Sequence, residues 1–142
     1  MKLKGKVALV TGSNRGIGAG SVLEMAKEGA DVAINYRSHA GEAEAVAEQV
    51  RAMGRRAIVV QGDVGDRAAN ERLVERTIQD LGRLDIFVAN AVNSVRKPFV
   101  ELTPEDAEVT WRVALFGVFH GMQLAARQML KQGSGGSIII IS

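Results

Sequence analysis

The 142-residue sequence has no cysteine, two prolines and few aromatic side chains: four Phe, one Trp and one Tyr. Without cysteine there is neither a disulfide framework nor a thiolate metal site. The two histidines, His39 and His120, lie far apart and show no ligand spacing, so no metal residue is named. So few rings exclude a stacking platform for single-stranded nucleic acid. Eighteen basic against 16 acidic side chains leave a net charge of +2, a small imbalance and no footprint for nucleic acid. No apolar run approaches a membrane span, and the basic start Met1–Lys6 is followed only by Val7–Val10, too short for a signal peptide. The expectation is a soluble protein of a reducing compartment, most simply cytoplasmic, whose partners include neither nucleic acid nor membrane. With 46% hydrophobic and 24% charged residues, the composition is that of an ordinary globular domain. No repeat or linker divides residues 1–142, which read as one domain or part of a larger one.

Present in place of these is an alternation. Lys6–Thr11 is a short β-branched run ending in a glycine cluster, and reads as a buried strand. From Gly16 to Glu28 apolar residues fall at helical spacing, with Gly29 as a stop. Strands are expected at Asp31–Tyr36, Ala57–Val60, Leu84–Ala89 and Ser137–Ile141, and helices at Ala40–Met53, Asp66–Leu81 and from Thr103 to about Lys131. The last of these opens with a hydroxyl cap, a proline at the first helical position and two acids. Helical crossovers of this length pair strands in parallel, so the order predicts a doubly wound α/β sheet, the Rossmann arrangement, with strands 3-2-1-4-5. Asn90–Leu102 is left as either a functional loop past the end of the fourth strand or a passive connection; ligands of such sheets bind beyond the strands' carboxyl ends.

The sharpest local feature is Thr11-Gly12-Ser13-Asn14-Arg15-Gly16-Ile17-Gly18, between the first strand and the first helix. Gly12 suits a tight turn, Gly16 lets backbone approach a pyrophosphate, and Gly18 suits close helix–strand packing, while the helix N-terminus offers free N–H groups to an anion. Strand before, helix after and a second strand beyond are the context that a dinucleotide site requires. The second strand then ends in Tyr36-Arg37-Ser38, where NAD binding would place an acid for the adenosine 2′-hydroxyl. A carboxylate repels a 2′-phosphate; Arg37 can bond to it, and Arg15 can reach the same group. NADP is therefore expected ahead of NAD, with Arg37 as a mere solvated loop charge the alternative.

These motifs resemble the N-terminal part of the short-chain dehydrogenase/reductase family, near its glucose dehydrogenase and 3-oxoacyl-carrier-protein reductase branch. The likeness covers essentially the whole chain, and its glycine segment matches T-G-x-x-x-G-x-G. It implies that Asp63-Val64 binds adenine, carboxylate to the exocyclic amine and backbone to the ring. Asn90, followed by Ala91, would stand beside the adenosine ribose; Ala89 and Val92 depart from the family's N-N-A-G. The family works with Asn, Ser, Tyr and Lys, of which the tyrosine is the acid/base. Ala114 occupies the asparagine position, Ser142 matches the neighbour of the serine, and no Y-x-x-x-K follows; the sole tyrosine is Tyr36. No catalytic residue is therefore named, and the C-terminal part of the family fold is expected to be absent. Two readings stay open: the cofactor-binding part of an oxidoreductase that acts on a small alcohol or carbonyl, or a non-catalytic dinucleotide-binding module.

The helix from Trp111 is apolar around nearly its whole circumference, with Gly117 and Gly121 keeping one side small. It is expected to pack on the sheet and on a second copy, as the resemblance also implies, or beneath further chain. His120 reads as an interior or interface histidine before a ligand. Ile138–Ile141 is expected at an unprotected sheet edge.

Overall fold

Strands buried on both faces carry unbroken apolar runs, and those of this chain do. The computed structural model describes residues 1–142. The order is β1 (Val7–Val10), α1 (Gly16–Lys27), β2 (Asp31–Tyr36), α2 (Ala40–Ala52), β3 (Ala57–Gln61), α3 (Arg67–Leu81), β4 (Ile86–Ala89), α4 (Pro104–Trp111), α5 (Val118–Gln132) and β5 (Ser137–Ile140). The five strands form one sheet in the order β3-β2-β1-β4-β5, with every pairing parallel. Val10 pairs with both Ile34 and Val88, so the central strands finish level, and their following turns meet at one end of the sheet.

Alternate side chains serve two separate cores. Val7, Leu9, Ala33, Val60 and Phe87 face α3 and α5; Ala8, Val10, Val32, Ile34 and Val88 face α1 and α2. Each fully buried Val, Leu, Ile or Phe contributes about 1.5–3 kcal/mol. At the opposite end from those turns, Asp85 is 4% exposed and satisfied by the Val7 N–H at 2.9 Å and by Arg83, which makes it a structural acid. The β5 edge pairs on one side only, with Ile139, Ile140 and Ile141 between 38% and 49% exposed. No helix is long and apolar enough to cross a membrane.

The expected single helix from Thr103 to Lys131 is interrupted. Its start is as read: Thr103 Oγ1 accepts from the Asp106 N–H at 3.1 Å, and Asp106 Oδ2 accepts from the Thr103 N–H at 3.0 Å. That N–H, and then the Lys97 ammonium, hold the Asp106 carboxyl below its ordinary range. Between α4 and α5, however, Arg112–Gly117 forms a π-helical segment. A π turn inserts a register shift that a 3.6-residue period does not represent. The stretch is apolar on both sides, but only one side is covered. Val113, Gly117, Gly121, Ala125 and Met129 are buried, while Trp111, Leu115, Phe116 and Phe119 are 54–59% exposed. The buried face comes very close to its neighbours: a Cβ on Gly117 would sit 2.9 Å from the Val64 carbonyl oxygen, and one on Gly121 would collide with the Phe87 ring. The Asn90–Leu102 connection contains one 3-10 turn, Phe99–Glu101.

Candidate functional site

The carboxyl ends of β1 to β4 open into a cleft of about 380 Å³. Its floor is the glycine turn after β1, which three buried polar side chains fasten in place. Gly12 turns at φ +58°, and a Cβ there would lie 2.8 Å from Ala91 Cα, so only glycine fits both the dihedral and the space. The Gly12 N–H donates to Asn35 Oδ1 at 3.0 Å. Asn35, 1% exposed on β2, sends its Nδ2 to the carbonyls of Val60 at 3.2 Å and Gly62 at 3.1 Å, tying in the end of β3. Ser13 Oγ donates to the Val10 carbonyl at 2.7 Å and accepts from the Asn35 N–H at 3.2 Å. On the β4 side, Thr11 Oγ1 accepts from the N–H groups of Asn90 at 2.9 Å and Ala91 at 3.0 Å. Asn90 Nδ2 returns bonds to the carbonyls of Thr11 and Gly12 at 3.0 and 3.1 Å.

The turn delivers the chain to the N-terminus of α1. Arg15 precedes the helix without a side-chain cap, no acid lies in the first turn, and the N–H groups of Gly16, Ile17 and Gly18 have no acceptor within the chain. Gly16 sits at φ +59° with nothing within 4 Å of where a Cβ would be. Three donors without an acceptor at a positive helix end, with Gly16 at the cleft, can hold an anionic group.

At the end of β2, Arg37 and Ser38 reach the same cleft. Arg37 is exposed; its carbonyl accepts from Gln61 Nε2 at 3.1 Å, and its guanidinium makes no ion pair in the chain. Arg15, expected to be equally available, is not: its Nε is held 2.9 Å from Glu42 Oε2. Beyond β3, Asp63 Oδ1 accepts from the Gly65 N–H at 2.9 Å and Oδ2 from Arg112 at 2.8 Å. Arg112 also reaches Asp66 at 3.2 Å, which ties the β3–α3 connection to the π segment.

Of the residues singled out in sequence, Gly12, Asn14, Arg15, Gly16, Arg37, Ser38, Asp63, Val64, Asn90 and Ala91 line this cleft. Ser13 is buried beneath it, Ile17 is 66% exposed beside it, and Tyr36 packs half-buried on the core under α2. Gly18 departs from its expected role. Its missing Cβ would strike Asn90 Nδ2 at 2.6 Å and the Gly12 carbonyl oxygen at 2.7 Å, so it makes room for the glycine turn itself and not for a strand. Val92 stands at the cleft with 74% of its surface exposed, while Ala89 is buried at the end of β4. Ala114 is exposed on the π segment, and no Tyr or Lys lines the cleft.

Sequence reasoning missed Asn35, His39, Asn93 and Arg112. Asn35 had a legible signal, an amide inside an otherwise apolar strand centre. Arg112 had none, since its partners lie 46 and 49 residues away in sequence. His120 is partly buried on α5, and its Nδ1 is enclosed without a hydrogen-bond partner.

Known proteins share this arrangement. The family model described as short chain dehydrogenase matches residues 6–142. An L-rhamnose 1-dehydrogenase (NAD(P)(+)) from a Sphingomonas species is 39% identical over 140 residues, covering 99% of this chain and 55% of that protein. Among solved structures, a short chain dehydrogenase from Burkholderia cenocepacia in complex with NADP superposes with a TM-score of 0.92 at 41% identity, over 99% of this chain and 56% of that one. A short-chain dehydrogenase/reductase from Serratia marcescens gives 0.92 at 39%, over 100% of this chain and 57% of that one. The chain thus spans little more than half the length of the relatives it matches. With a matching sequence over nearly its whole length and the same parallel sheet, the chain belongs to the short-chain dehydrogenase/reductase family.

Proposed function

We propose that residues 1–142 hold NADP(H) along this cleft, as the cofactor-binding part of an oxidoreductase acting on a small alcohol or carbonyl compound. The observation that carries the reading is one opening that joins Gly16 at the N-terminus of α1, where the N–H groups of Gly16–Gly18 have no acceptor in the chain, to the unpaired Arg37 guanidinium, with no carboxylate at the end of β2. Gly16–Gly18 would hold the pyrophosphate, Arg37 and Ser38 the 2′-phosphate, Asp63 and Val64 the adenine, and Asn90 the ribose. Asp63 suits that role, because its carboxylate is already oriented by Gly65 and Arg112 and keeps acceptor capacity. When bound, the dinucleotide supplies the hydride acceptor or donor; the chain's own part is to bind and orient it. The NADP of the Burkholderia cenocepacia structure supports the assignment, whereas the Sphingomonas relative takes either nucleotide.

A second reading, a non-catalytic dinucleotide-binding module that associates with itself, is favoured by Ala114 in the family's asparagine position and by the exposed Trp111, Leu115, Phe116 and Phe119. Turnover separates the two: a non-catalytic module consumes no NADPH with any carbonyl substrate, even in the longest natural form of the protein.

Calorimetry tests the cofactor. NADP+ should bind about ten- to a hundredfold more tightly than NAD+, the worth of one charge-assisted contact, and Arg37→Asp should reverse the order. Equal or tighter NAD+ binding by the unmodified chain contradicts the reading.

A further inference from the structure

Glu42 lies in the first turn of α2, outside the cleft, yet it governs two residues that line it. One carboxylate oxygen, Oε2, accepts from Asn14 Nδ2 at 3.1 Å and from Arg15 Nε at 2.9 Å. Of the two arginines at the cleft, Arg37 is therefore an uncompensated cation, and Arg15 is half of a neutral pair with only its two Nη groups left to donate. We propose that Glu42 is a specificity-determining residue: by neutralising Arg15, it limits how strongly the cleft prefers a nucleotide with a 2′-phosphate over one without. The proposal rests on the reading that a dinucleotide occupies this cleft.

The physical case is electrostatic. A phosphate monoester carries about −1.5 to −2 charges near neutral pH, so it senses every fixed charge around Arg15 and Arg37. A carboxylate hydrogen-bonded to one of two recognition cations offsets the attraction of that cation and adds repulsion of its own. The pyrophosphate that NAD and NADP share feels this charge alike in both, so the ratio of the two affinities isolates the 2′-phosphate. The Arg15–Glu42 pair is exposed, 58% and 44% for the two side chains, so it contributes little to holding the fold and can be altered without collapse. A negative residue in the first turn of a helix also stabilises that helix. A purely structural role of that kind would change the melting temperature without touching the ratio of nucleotide affinities.

The test is Glu42→Gln, which keeps side-chain length and an acceptor oxygen while removing the charge. Dissociation constants for NADP+ and NAD+ are measured by calorimetry for both chains at about 50 mM and about 500 mM salt. NADP+ binding should tighten about three- to tenfold at the lower salt, with NAD+ changing less than about twofold and the gain shrinking at the higher salt. Glu42→Ala should give the same direction. An unmodified chain that prefers NAD+ removes the reading of Arg37, but the proposal still requires the ratio to move toward NADP+ on substitution. An unmodified chain that prefers NADP+, with an unchanged or lower ratio in Glu42→Gln, leaves that reading intact and overturns the proposal. A chain that binds neither nucleotide overturns both.

Discussion

Asn35 bonds to three separate pieces of chain: it accepts from Gly12 after β1 and donates to Val60 and Gly62 around the end of β3. Buried polar groups left without partners cost about 1–3 kcal/mol each. Asn35→Ala would strip partners from a half-buried N–H and two carbonyls while removing little apolar contact. We expect a loss of about 2–4 kcal/mol in urea unfolding and a weakened nucleotide site, because the glycine turn loses its tether. An unfolding midpoint within about 0.5 kcal/mol of the parent would show that the amide is dispensable. Thr11 makes the matching tether on the β4 side through the N–H groups of Asn90 and Ala91. The cleft is thus shaped by buried polar residues as well as by its glycines: Asn35 reaches its lining from inside β2, a strand that otherwise reads only as core.

Between elements, α3 and α5 enclose the imidazole of His120, whose Nδ1 is buried without a partner. Burial first, and then the positive Arg67, push its proton affinity below the ordinary histidine value; Glu71 opposes them in part. The folded chain therefore takes up the proton less readily than the unfolded one. Stability should be level above the unfolded value of about 6.5, and should fall as the pH drops from there toward the lowered folded value. His120→Leu should remove that loss. The comparison is of urea midpoints at about pH 7.5 and about pH 5.5; an equal drop in both proteins would assign the acid sensitivity to other groups. The elements themselves were largely legible. Val7–Val10, Asp31–Tyr36 and the glycine-bounded helices carry local signals, since strand runs and their punctuation lie within a few residues of one another. The π segment at Arg112–Gly117 was not legible, because a register shift inside a helix leaves the residue types helical and changes only their phase. The Arg112–Asp63 and Arg15–Glu42 pairs were equally hidden, joining residues that only the tertiary fold brings together.

For the molecule as a whole, charge is nearly balanced and apolar surface is unevenly covered. Trp111, Leu115, Phe116 and Phe119 are more than half exposed on one helical stretch, and the β5 edge presents Ile139 and Ile140 with pairing on one side only. Apolar surface returned to cover yields about 25 cal/mol per Å², and a stable interface buries about 1,200–2,000 Å². The 142-residue chain should therefore self-associate at micromolar concentration, and sedimentation velocity should show a dimer or larger species. A monomer with a cooperative melt above about 50 °C would mean that these surfaces are tolerated in water. In the proposed function, the N-terminus of α1 and the end of β2 together form the nucleotide site. Amide hydrogen exchange with and without saturating NADP+ tests it most directly, because the Gly16, Ile17 and Gly18 N–H groups have no acceptor in the chain and should exchange fast until a phosphate supplies one. NADP+ should slow exchange in the segments containing Gly16–Gly18 and Arg37–Ser38 above all others. Protection confined to other segments, or none at saturation, would contradict it.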